Sequence, residues 1–207
     1  MKILIGDIGN TLTKLCLINK KLKIIKEYNI ETAEIIKEKS LIRFLSPVLK
    51  ENLKRKILFS SVVPKVYRKI NTFFKIKKYQ VYEIKKLPLK NLIKIKIDKY
   101  NELGSDRIAN AIGAYSFYKK NCLIIDLGTA TTFDIVRYPG VYEGGVIAPG
   151  VKLSILNLSR FTASLPIFNL KANSKIFGKN TKDALNAGFL WGYQGLINNI
   201  VKKIKTS

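Results

Sequence analysis

Histidine is absent from this sequence, and its absence excludes several kinds of site at once. None of the 207 residues is His. Ser-His-Asp and Cys-His catalysis need an imidazole as general base, and a Cys/His zinc finger needs one as a ligand. A general base in this protein must therefore be Asp, Glu, Lys or Tyr.

Cysteines and long apolar segments are also scarce. The two cysteines, Cys16 and Cys122, lie in apolar strand-like runs, where a thiol behaves as a small buried hydrophobe rather than as half of a disulfide framework. No run approaches the roughly 18 apolar residues of a membrane span, and Asp7 interrupts the apolar start before a signal peptide could form. We therefore expect a cytoplasmic protein with no membrane partner. The sequence also lacks G-x-x-x-x-G-K-[ST], which excludes a P-loop enzyme.

Acidic residues are few, and the chain carries a large positive charge. It has 38 Lys and Arg against 14 Asp and Glu, a formal net charge of +24. Such a charge attracts polyanions. The lysines, however, are scattered between isoleucines, as in KKLKIIK, KIKKYQ and IKIKI, which is typical of the solvated faces of strands and helices. We therefore expect no nucleic-acid partner, although a nucleic-acid-binding function stays open as the alternative.

Apolar periodicity predicts strands in alternation with helices, an α/β fold. Three opening strands, KILIGD, TLTKLCLI and KLKIIKEYNI, precede a helix over Glu31 to Leu49 and the strand KILFSSVV. A helix from Pro64 to Phe74 and the strand YQVYEI follow, and NLIKIKI is a further candidate strand. Leu103 to Tyr118 is predicted to be a loop that enters a helix.

The pattern restarts at Asn121. Strands flank DLGTAT, another strand contains VYEGGVIAPG, a helix follows Pro149, and a long helix runs from Thr181 to Lys203. We therefore expect two lobes, 1–115 and 116–207.

A short acidic turn occurs once in each half. Placing ILIGDIGNTLTKLCLI over CLIIDLGTATTFDIV at an offset of 119 aligns Asp7 with Asp126 and Gly9 with Gly128. In such a turn the glycine lets the backbone approach a ligand, N–H groups and hydroxyls face phosphate oxygens, and the carboxylate can hold a cation. A single D-x-G is ordinary hairpin chemistry. Its repetition predicts a clamp on the phosphates and metal of a nucleotide.

Paired D-x-G turns in a duplicated lobe resemble the superfamily of acetate and sugar kinases, actin and heat-shock chaperones. Within it, five motifs resemble type III pantothenate kinase, in the same order and over nearly the whole chain. They are DIGNT (7–11), GSDRIANAIGAY (104–115), DLGTATTFD (126–134), YEGGVIAPG (142–150) and GKNTKDALNAG (178–188). The resemblance implies two actin-like (ribonuclease H-like) lobes, each a mixed β-sheet with helices, an ATP cleft between them, and a homodimer.

The activity implied by this resemblance is ATP-dependent phosphorylation of pantothenate to 4′-phosphopantothenate, the first step of coenzyme A biosynthesis. The alternative is a catalytically weakened family member that acts as a nucleic-acid-binding transcriptional activator. Mg²⁺ and a monovalent cation, K⁺ or NH₄⁺, are the implied cofactors. Asp106 matches the catalytic aspartate, Asp126 the ligand of the monovalent cation, and Asp7 a residue that holds Mg²⁺ directly or through water. The implied ATP-binding residues are Asp7, Ile8, Gly9, Asn10, Thr11, Leu12, Thr13, Lys14 and Thr129. The implied pantothenate-binding residues are Tyr100, Gly104, Ser105, Asp106, Arg107 and Thr181.

Structural alternatives stay open for some of these residues. Asp106 is also suited to cap a helix beginning at Arg107, and Thr181 to cap the long helix. Lys14 is equally compatible with a solvated strand lysine. Tyr100 stands closer to Gly104 than the tyrosine of the family usually does. Family members also continue into another strand, a T-G-G turn and a last helix, so the resemblance implies a shortened C-terminal lobe.

Overall fold

The computed structural model describes residues 1–172 and 175–206, which form an α/β fold with two mixed sheets. The chain divides into two compact units. One contains Met1–Ile124 and Phe133–Val146, and the other contains Ile125–Thr132 and Ile147–Ser207. The first unit thus also contains residues 116–124 and Phe133–Val146, which the expected lobes assigned to the second half. The lobes 1–115 and 116–207 stay a prediction.

Five strands form the first sheet, in the order β3-β2-β1-β4-β5. Their bounds are β1 Lys2–Ile8, β2 Leu12–Ile18, β3 Ile24–Glu31, β4 Leu53–Ser61 and β5 Gln80–Glu83. β2 is antiparallel to both β1 and β3, whereas β1, β4 and β5 are parallel to one another. The carboxyl ends of β1, β4 and β5 therefore meet at one edge of the sheet.

Two helices pack their apolar stripes on one face of this sheet. They are α1, Glu38–Leu49, and α2, Pro64–Ile76, which begins at a proline whose missing N–H leaves no helical bond unmade. The strands supply Leu4, Ile8, Leu15, Leu17, Ile57 and Phe59 to the core, and the helices supply Leu45, Val48, Ile70 and Phe74. Because side chains alternate along a strand, burial of Ile8 on this face sends Asp7 to the other.

Four strands form the second sheet, in the order β6-β9-β8-β7. Their bounds are β6 Lys94–Ile95, β7 Cys122–Leu127, β8 Ala130–Arg137 and β9 Val141–Pro149. A second core joins Ile108, Ala111 and Tyr115 of α3, Ser105–Tyr118, to Val136 and Tyr142. Two further helices follow in the chain, α4 Val151–Arg160 and α5 Thr181–Lys205.

The first predicted helix is shorter than expected. Instead of a helix over Glu31 to Leu49, a 3₁₀ helix, Thr32–Ile36, precedes α1. Lys37 between them has extended backbone angles, φ −80° and ψ 124°, so the two helices cannot join. The predicted strand NLIKIKI is reduced to the two residues of β6. The helices predicted from Pro64 and Thr181 are confirmed, each ending two residues later than expected.

Gly6 on β1 is expected not to tolerate a side chain. A methyl group there would overlap the ring of Phe59 and lie 2.9 Å from Leu15 Cδ2. Overpacking a core typically costs about 1–3 kcal/mol, so Gly6→Ala should lower the free energy of unfolding in urea by about that amount. The matched control is Gly113→Ala in α3, where a methyl meets nothing within 4 Å. Equal effects of the two variants would contradict this packing.

Candidate active site

The first acidic turn lies where β1 ends. Asp7 is exposed on β1, and its register partners are Lys14 on β2 and Ser60 on β4. Paired residues of neighbouring strands point to the same face of a sheet, so these three side chains share the face opposite buried Ile8. Ser60 is buried, and its hydroxyl has no hydrogen-bond partner among the described residues. This face therefore carries an exposed carboxylate and an exposed ammonium, with a buried hydroxyl beside them.

A threonine from outside the turn braces it. The hydroxyl of Thr32 donates to the Gly9 carbonyl at 2.7 Å and lies 2.9 Å from the Thr13 hydroxyl, while its N–H donates to the Thr11 carbonyl at 2.9 Å. These contacts hold both ends of the turn in one conformation. Sequence reasoning missed Thr32, because its bond to Gly9 joins positions 23 apart.

The predicted ATP-binding stretch, residues 7–14, contains both buried and exposed side chains. The side chains of Ile8 and Thr13 are fully buried, so only their backbone atoms can reach a ligand. Gly9 and Leu12 are half-buried. The exposed side chains of the stretch are those of Asp7, Asn10, Thr11 and Lys14.

The second acidic turn resembles the first in its hydrogen bonding but is one residue shorter. The N–H of Gly128 donates to the Ala130 carbonyl at 3.0 Å, as the N–H of Gly9 does to the Leu12 carbonyl at 3.0 Å. The side chain of Asp126, just before this turn, is exposed. The repeat seen in the sequence is therefore also a repeat of backbone structure.

A glycine brings the start of α4 against this second turn. Gly150, the residue before α4, donates its N–H to the Thr129 carbonyl at 3.1 Å. A methyl at Gly150 would overlap the carbonyl oxygens of Gly128 and Thr129. The Thr129 side chain is exposed. The backbone of the turn is thus fixed while its hydroxyl residue stays accessible.

The segment Gly104–Arg107 begins α3. Gly104 occupies the N-cap position, so the idea that Asp106 caps a helix starting at Arg107 is wrong. Asp106 lies in the first turn, half-buried, and its Oδ1 accepts the Arg107 N–H at 2.8 Å. An anionic side chain is favoured there by the helix dipole. A methyl at Gly104 would overlap Asp106 Oδ1, so the glycine is needed for this placement.

Two predicted substrate residues have their hydroxyls engaged within the protein. Ser105 is buried and donates to Glu83 Oε1 at 2.5 Å, so any contact of Ser105 with a substrate falls to its backbone. The Tyr100 hydroxyl donates to the Lys85 carbonyl at 2.9 Å, and the ring lies 5.5 Å from Lys85 Nζ. Tyr100 is exposed, so its ring is accessible, and its role in substrate binding stays a prediction.

Arg107 is held by a buried ion pair. Its Nε and Nη2 both lie 2.7 Å from Asp134 Oδ1, and the Tyr142 hydroxyl donates to the same oxygen at 2.7 Å. The Asp134 side chain is 0% exposed and that of Arg107 15%. Gly145 leaves room for the guanidinium, because a methyl there would lie 2.6 Å from Nη2. Arg107 is therefore fixed with a small part of its side chain exposed.

Tyr142 serves this ion pair as a fixed donor. Burial raises its pKa above the ordinary value, and the hydrogen bond to Asp134 and the negative charge of that carboxylate raise it further. The hydroxyl therefore keeps its proton, and with it the bond to Asp134, across the neutral range.

The remaining predicted substrate residue, Thr181, is the first residue of α5. The cap of this helix is Asn180, whose side-chain oxygen accepts the Asp183 N–H at 2.9 Å, so the capping alternative for Thr181 is wrong. The Thr181 side chain is exposed and lines an apolar groove along α5. Its hydroxyl is thus accessible to a ligand.

Several residues that shape the site were given no role in the sequence analysis. They are Thr32, Glu83, Lys85, Asp134 and Tyr142. Asp134 and Tyr142 did lie inside quoted motifs, at the end of DLGTATTFD and the start of YEGGVIAPG. A carboxylate eight positions after Asp126 on an apolar strand was the available signal, since a buried acid needs a partner.

Within residues 1–172 and 175–206, no three Asp, Glu or Cys side chains cluster closely enough to hold a metal by themselves. No helix in the same residues is long and apolar enough to cross a membrane.

Comparisons with known proteins agree with the motifs. A family model described as type III pantothenate kinase matches residues 3–203. A type III pantothenate kinase of Pelagibacter ubique (strain HTCC1062) is 48% identical over 204 residues, 98% of this chain and 81% of that protein. A type III pantothenate kinase of Desulfosudis oleivorans (strain DSM 6200 / JCM 39069 / Hxd3) is 35% identical over 99% of this chain and 82% of that protein.

Other similarities are partial. A type III pantothenate kinase of Phenylobacterium zucineum (strain HLK1) is 46% identical over 113 residues, 55% of this chain and 44% of that protein. Among solved structures, an activator of 2-hydroxyisocaproyl-CoA dehydratase from Clostridium difficile with bound ADPNP aligns with a TM-score of 0.45 at 12% identity. That alignment covers 76% of this chain and 50% of the activator, a likeness too low to support an argument.

The α/β fold with its two acidic turns, together with the extent of these matches, places the chain among the kinases, enzymes that transfer phosphate. The chain belongs to the type III pantothenate kinase family.

Tyr142→Phe is expected to lower the free energy of unfolding by about 1–2 kcal/mol at pH 7, because a hydrogen bond to a carboxylate is lost. The folded-state pKa of Tyr142 lies above the unfolded value, so its stabilisation is complete below about pH 10 and is lost as the pH rises further. Denaturant unfolding of wild type and variant between pH 7 and 11 should show their difference narrowing above about pH 10. Tyr118→Phe, at an exposed position, is the control. A difference independent of pH would contradict this assignment.

Proposed function

We propose that this protein transfers the terminal phosphate of ATP to the hydroxyl of pantothenate, giving 4′-phosphopantothenate in the first step of coenzyme A biosynthesis. The observation that carries the proposal is Asp106 in the first turn of α3, accepting the Arg107 N–H, beside a guanidinium fixed by Asp134. Membership of the type III pantothenate kinase family supports the choice of substrate.

The two acidic turns are proposed to contact the phosphates of ATP. In the first turn, Asn10, Thr11 and backbone N–H groups are accessible, and Lys14 lies across from Asp7 in the sheet as a point charge for phosphate. In the second, Thr129 supplies an exposed hydroxyl from a turn whose backbone is fixed.

Cations complete the proposed nucleotide site. Asp7 would hold Mg²⁺ directly or through water, and Asp126 would hold a monovalent cation, K⁺ or NH₄⁺. Both carboxylates are exposed at strand ends beside glycine turns. When bound, Mg²⁺ supplies charge neutralisation on the β- and γ-phosphates.

Asp106 is proposed to accept the proton of the attacking hydroxyl. The pantothenate oxygen bonds to the γ-phosphorus, the bond from that phosphorus to the β–γ bridging oxygen breaks, and the carboxylate takes the hydroxyl proton. In a chain without histidine a carboxylate is the natural acceptor. The Arg107 N–H on Oδ1 fixes the direction of the other oxygen.

Arg107 is proposed to bind the carboxylate of pantothenate. Asp134 occupies its Nε and Nη2, while other N–H donors of the planar guanidinium are available for a second acceptor. Gly104, the Ser105 backbone, Tyr100 and Thr181 are proposed to line the rest of the pantothenate site.

Two further expectations belong to this proposal. The family resemblance implies a homodimer, and we propose a cytoplasmic enzyme. A nucleic-acid-binding role, the alternative that the charge left open, has no supporting observation in the described part of the chain.

Asp106→Asn is expected to lower kcat about 10²- to 10⁴-fold, because the acceptor of the hydroxyl proton is lost. The measurement is formation of phosphorylated pantothenate from ATP, Mg²⁺ and K⁺, with the Kd of ATP measured in parallel and expected to change little. Asp98→Asn, at an exposed position, is the matched control. An unchanged kcat in Asp106→Asn would remove this residue from the mechanism. A wild-type protein that does not phosphorylate pantothenate would contradict the function itself.

Asp134→Asn is expected to raise the KM of pantothenate about 10- to 100-fold, because the guanidinium of Arg107 loses its charged partner and its fixed orientation. The KM of the pantothenate analogue that has an alcohol in place of the carboxylate should change little, so the preference of the enzyme for pantothenate over this analogue falls. Glu143→Gln, which removes the exposed partner of Arg137, is the control. Equal losses for both substrates, in protein shown to be folded at the assay temperature, would make Asp134 merely structural.

A further inference from the structure

Two charged residues at the end of β5 hold the segment that carries Asp106. We propose that Glu83 and Lys85, here named the β5-end clamp, are positioning residues for Asp106. The proposal rests on the proposed function for its kinetic consequence, but the contacts themselves do not depend on it. Neither residue belonged to a recognised motif in the sequence.

Lys85 fixes the approach to the segment. Its Nζ donates to the carbonyl oxygens of Asn101 at 2.8 Å and Leu103 at 2.6 Å, and it lies 5.5 Å from the centre of the Tyr100 ring. Tyr100 in turn donates its hydroxyl to the Lys85 carbonyl at 2.9 Å. An ammonium has three donors, and Lys85 uses two of them on backbone carbonyls five and three residues before Asp106. Bonds from a charged donor are the stronger kind.

Glu83 holds the segment from its other side. It is buried, and its Oε1 accepts the hydroxyl of Ser105, the residue directly before Asp106, at 2.5 Å. Its own backbone is fixed, because Glu83 pairs with Phe59 in the parallel ladder of β4 and β5. This side-chain bond connects the sheet to the first turn of α3.

Packing holds part of the segment, because Leu103 is buried in the second core, but open space also lies beside it. A cavity of about 410 Å³ lies beside it, lined by Tyr67, Glu83, Lys85, Leu103, Gly104 and Ser105 among others. The residues before it form one turn of 3₁₀ helix, Tyr100–Glu102, a structure with poor hydrogen-bond geometry. Because open space lies beside a short irregular turn, the polar contacts of the clamp act together with the burial of Leu103 to fix where Asp106 lies.

Lys85 and Tyr100 each bind the backbone of the segment that carries the other. The Lys85 ammonium binds the carbonyl of Leu103, three residues after Tyr100. The Tyr100 hydroxyl binds the carbonyl of Lys85, two residues after β5. The two segments are therefore fixed reciprocally. Loss of either side chain frees the same stretch of backbone.

Lys85→Met is expected to lower kcat about 10- to 100-fold with little change in the Kd of ATP, because a small displacement of the general base has an effect of that order. In an Asp106→Asn background, the same substitution should cause no further loss. Amide hydrogen exchange at Leu103–Arg107 should become faster in Lys85→Met, whether or not substrate is present. Lys90→Met, at an exposed position in the same region, is the matched control and should change neither quantity.

Ser105→Ala is a second variant, which removes the bond to Glu83 while leaving β5 intact. Like Lys85→Met, it should make amide exchange at Leu103–Arg107 faster and kcat lower. The proposal is overturned if exchange at Leu103–Arg107 is unchanged in both variants. It is also overturned if Lys85→Met lowers the residual rate of Asp106→Asn as much as it lowers that of wild type, since the effect would then not pass through Asp106. A wild type that lacks pantothenate kinase activity would contradict the proposed function, whereas the exchange result would still decide on the clamp.

Discussion

The parallel pairing of β1 with β4, and of β4 with β5, is the constraint on which the site depends. Parallel strands end at the same edge of a sheet, and ligands of α/β folds bind at that edge. Asp7 on β1, Ser60 on β4 and Glu83 on β5 are all brought there by register alone. α3 begins at the same edge because Ser105 is bound to Glu83. One feature of the backbone therefore places both the first acidic turn and Asp106, the proposed general base, in the first unit.

Each buried acid of this unit has donors that offset the cost of its burial. Glu83 accepts from Ser105, and Asp134 accepts from Arg107 and Tyr142. A buried carboxylate without such partners would be unfavourable by several kcal/mol, so these donors are a condition of the fold as well as of the site. The excess of lysine has little part in this. Most lysines are exposed, and exposed ion pairs contribute about 0–1 kcal/mol.

Local patterns in the sequence were sufficient for most of the strands and for both acidic turns. Apolar alternation on both sides of Asp7 and of Asp126 predicted two hairpins, and both are present, each with a bond from its glycine N–H across the turn. The proline that begins α2 marked a helix start correctly. Such signals succeed because they depend on a few neighbouring residues.

Contacts between distant positions could not be predicted in the same way. Ser105 meets Glu83 across 22 positions and Arg107 meets Asp134 across 27, and no local pattern connects either pair. The helix predicted from Glu31 is interrupted at Lys37, whose extended backbone separates a 3₁₀ helix from α1. The residues expected to touch substrate were therefore identifiable from motifs, whereas those that hold them in place were visible only once the chain was folded.

The chemistry explains why a chain without histidine needs so many holding contacts. In phosphoryl transfer the transition state is loose, and the reaction asks for accurate placement and charge neutralisation more than for a strong base. A carboxylate is then adequate if its position is fixed. Around Asp106 the fixing groups are backbone at Arg107, a glycine at 104 that leaves room for Oδ1, and the clamp behind Ser105 and Leu103. Each of them constrains geometry, which is the quantity that this reaction demands.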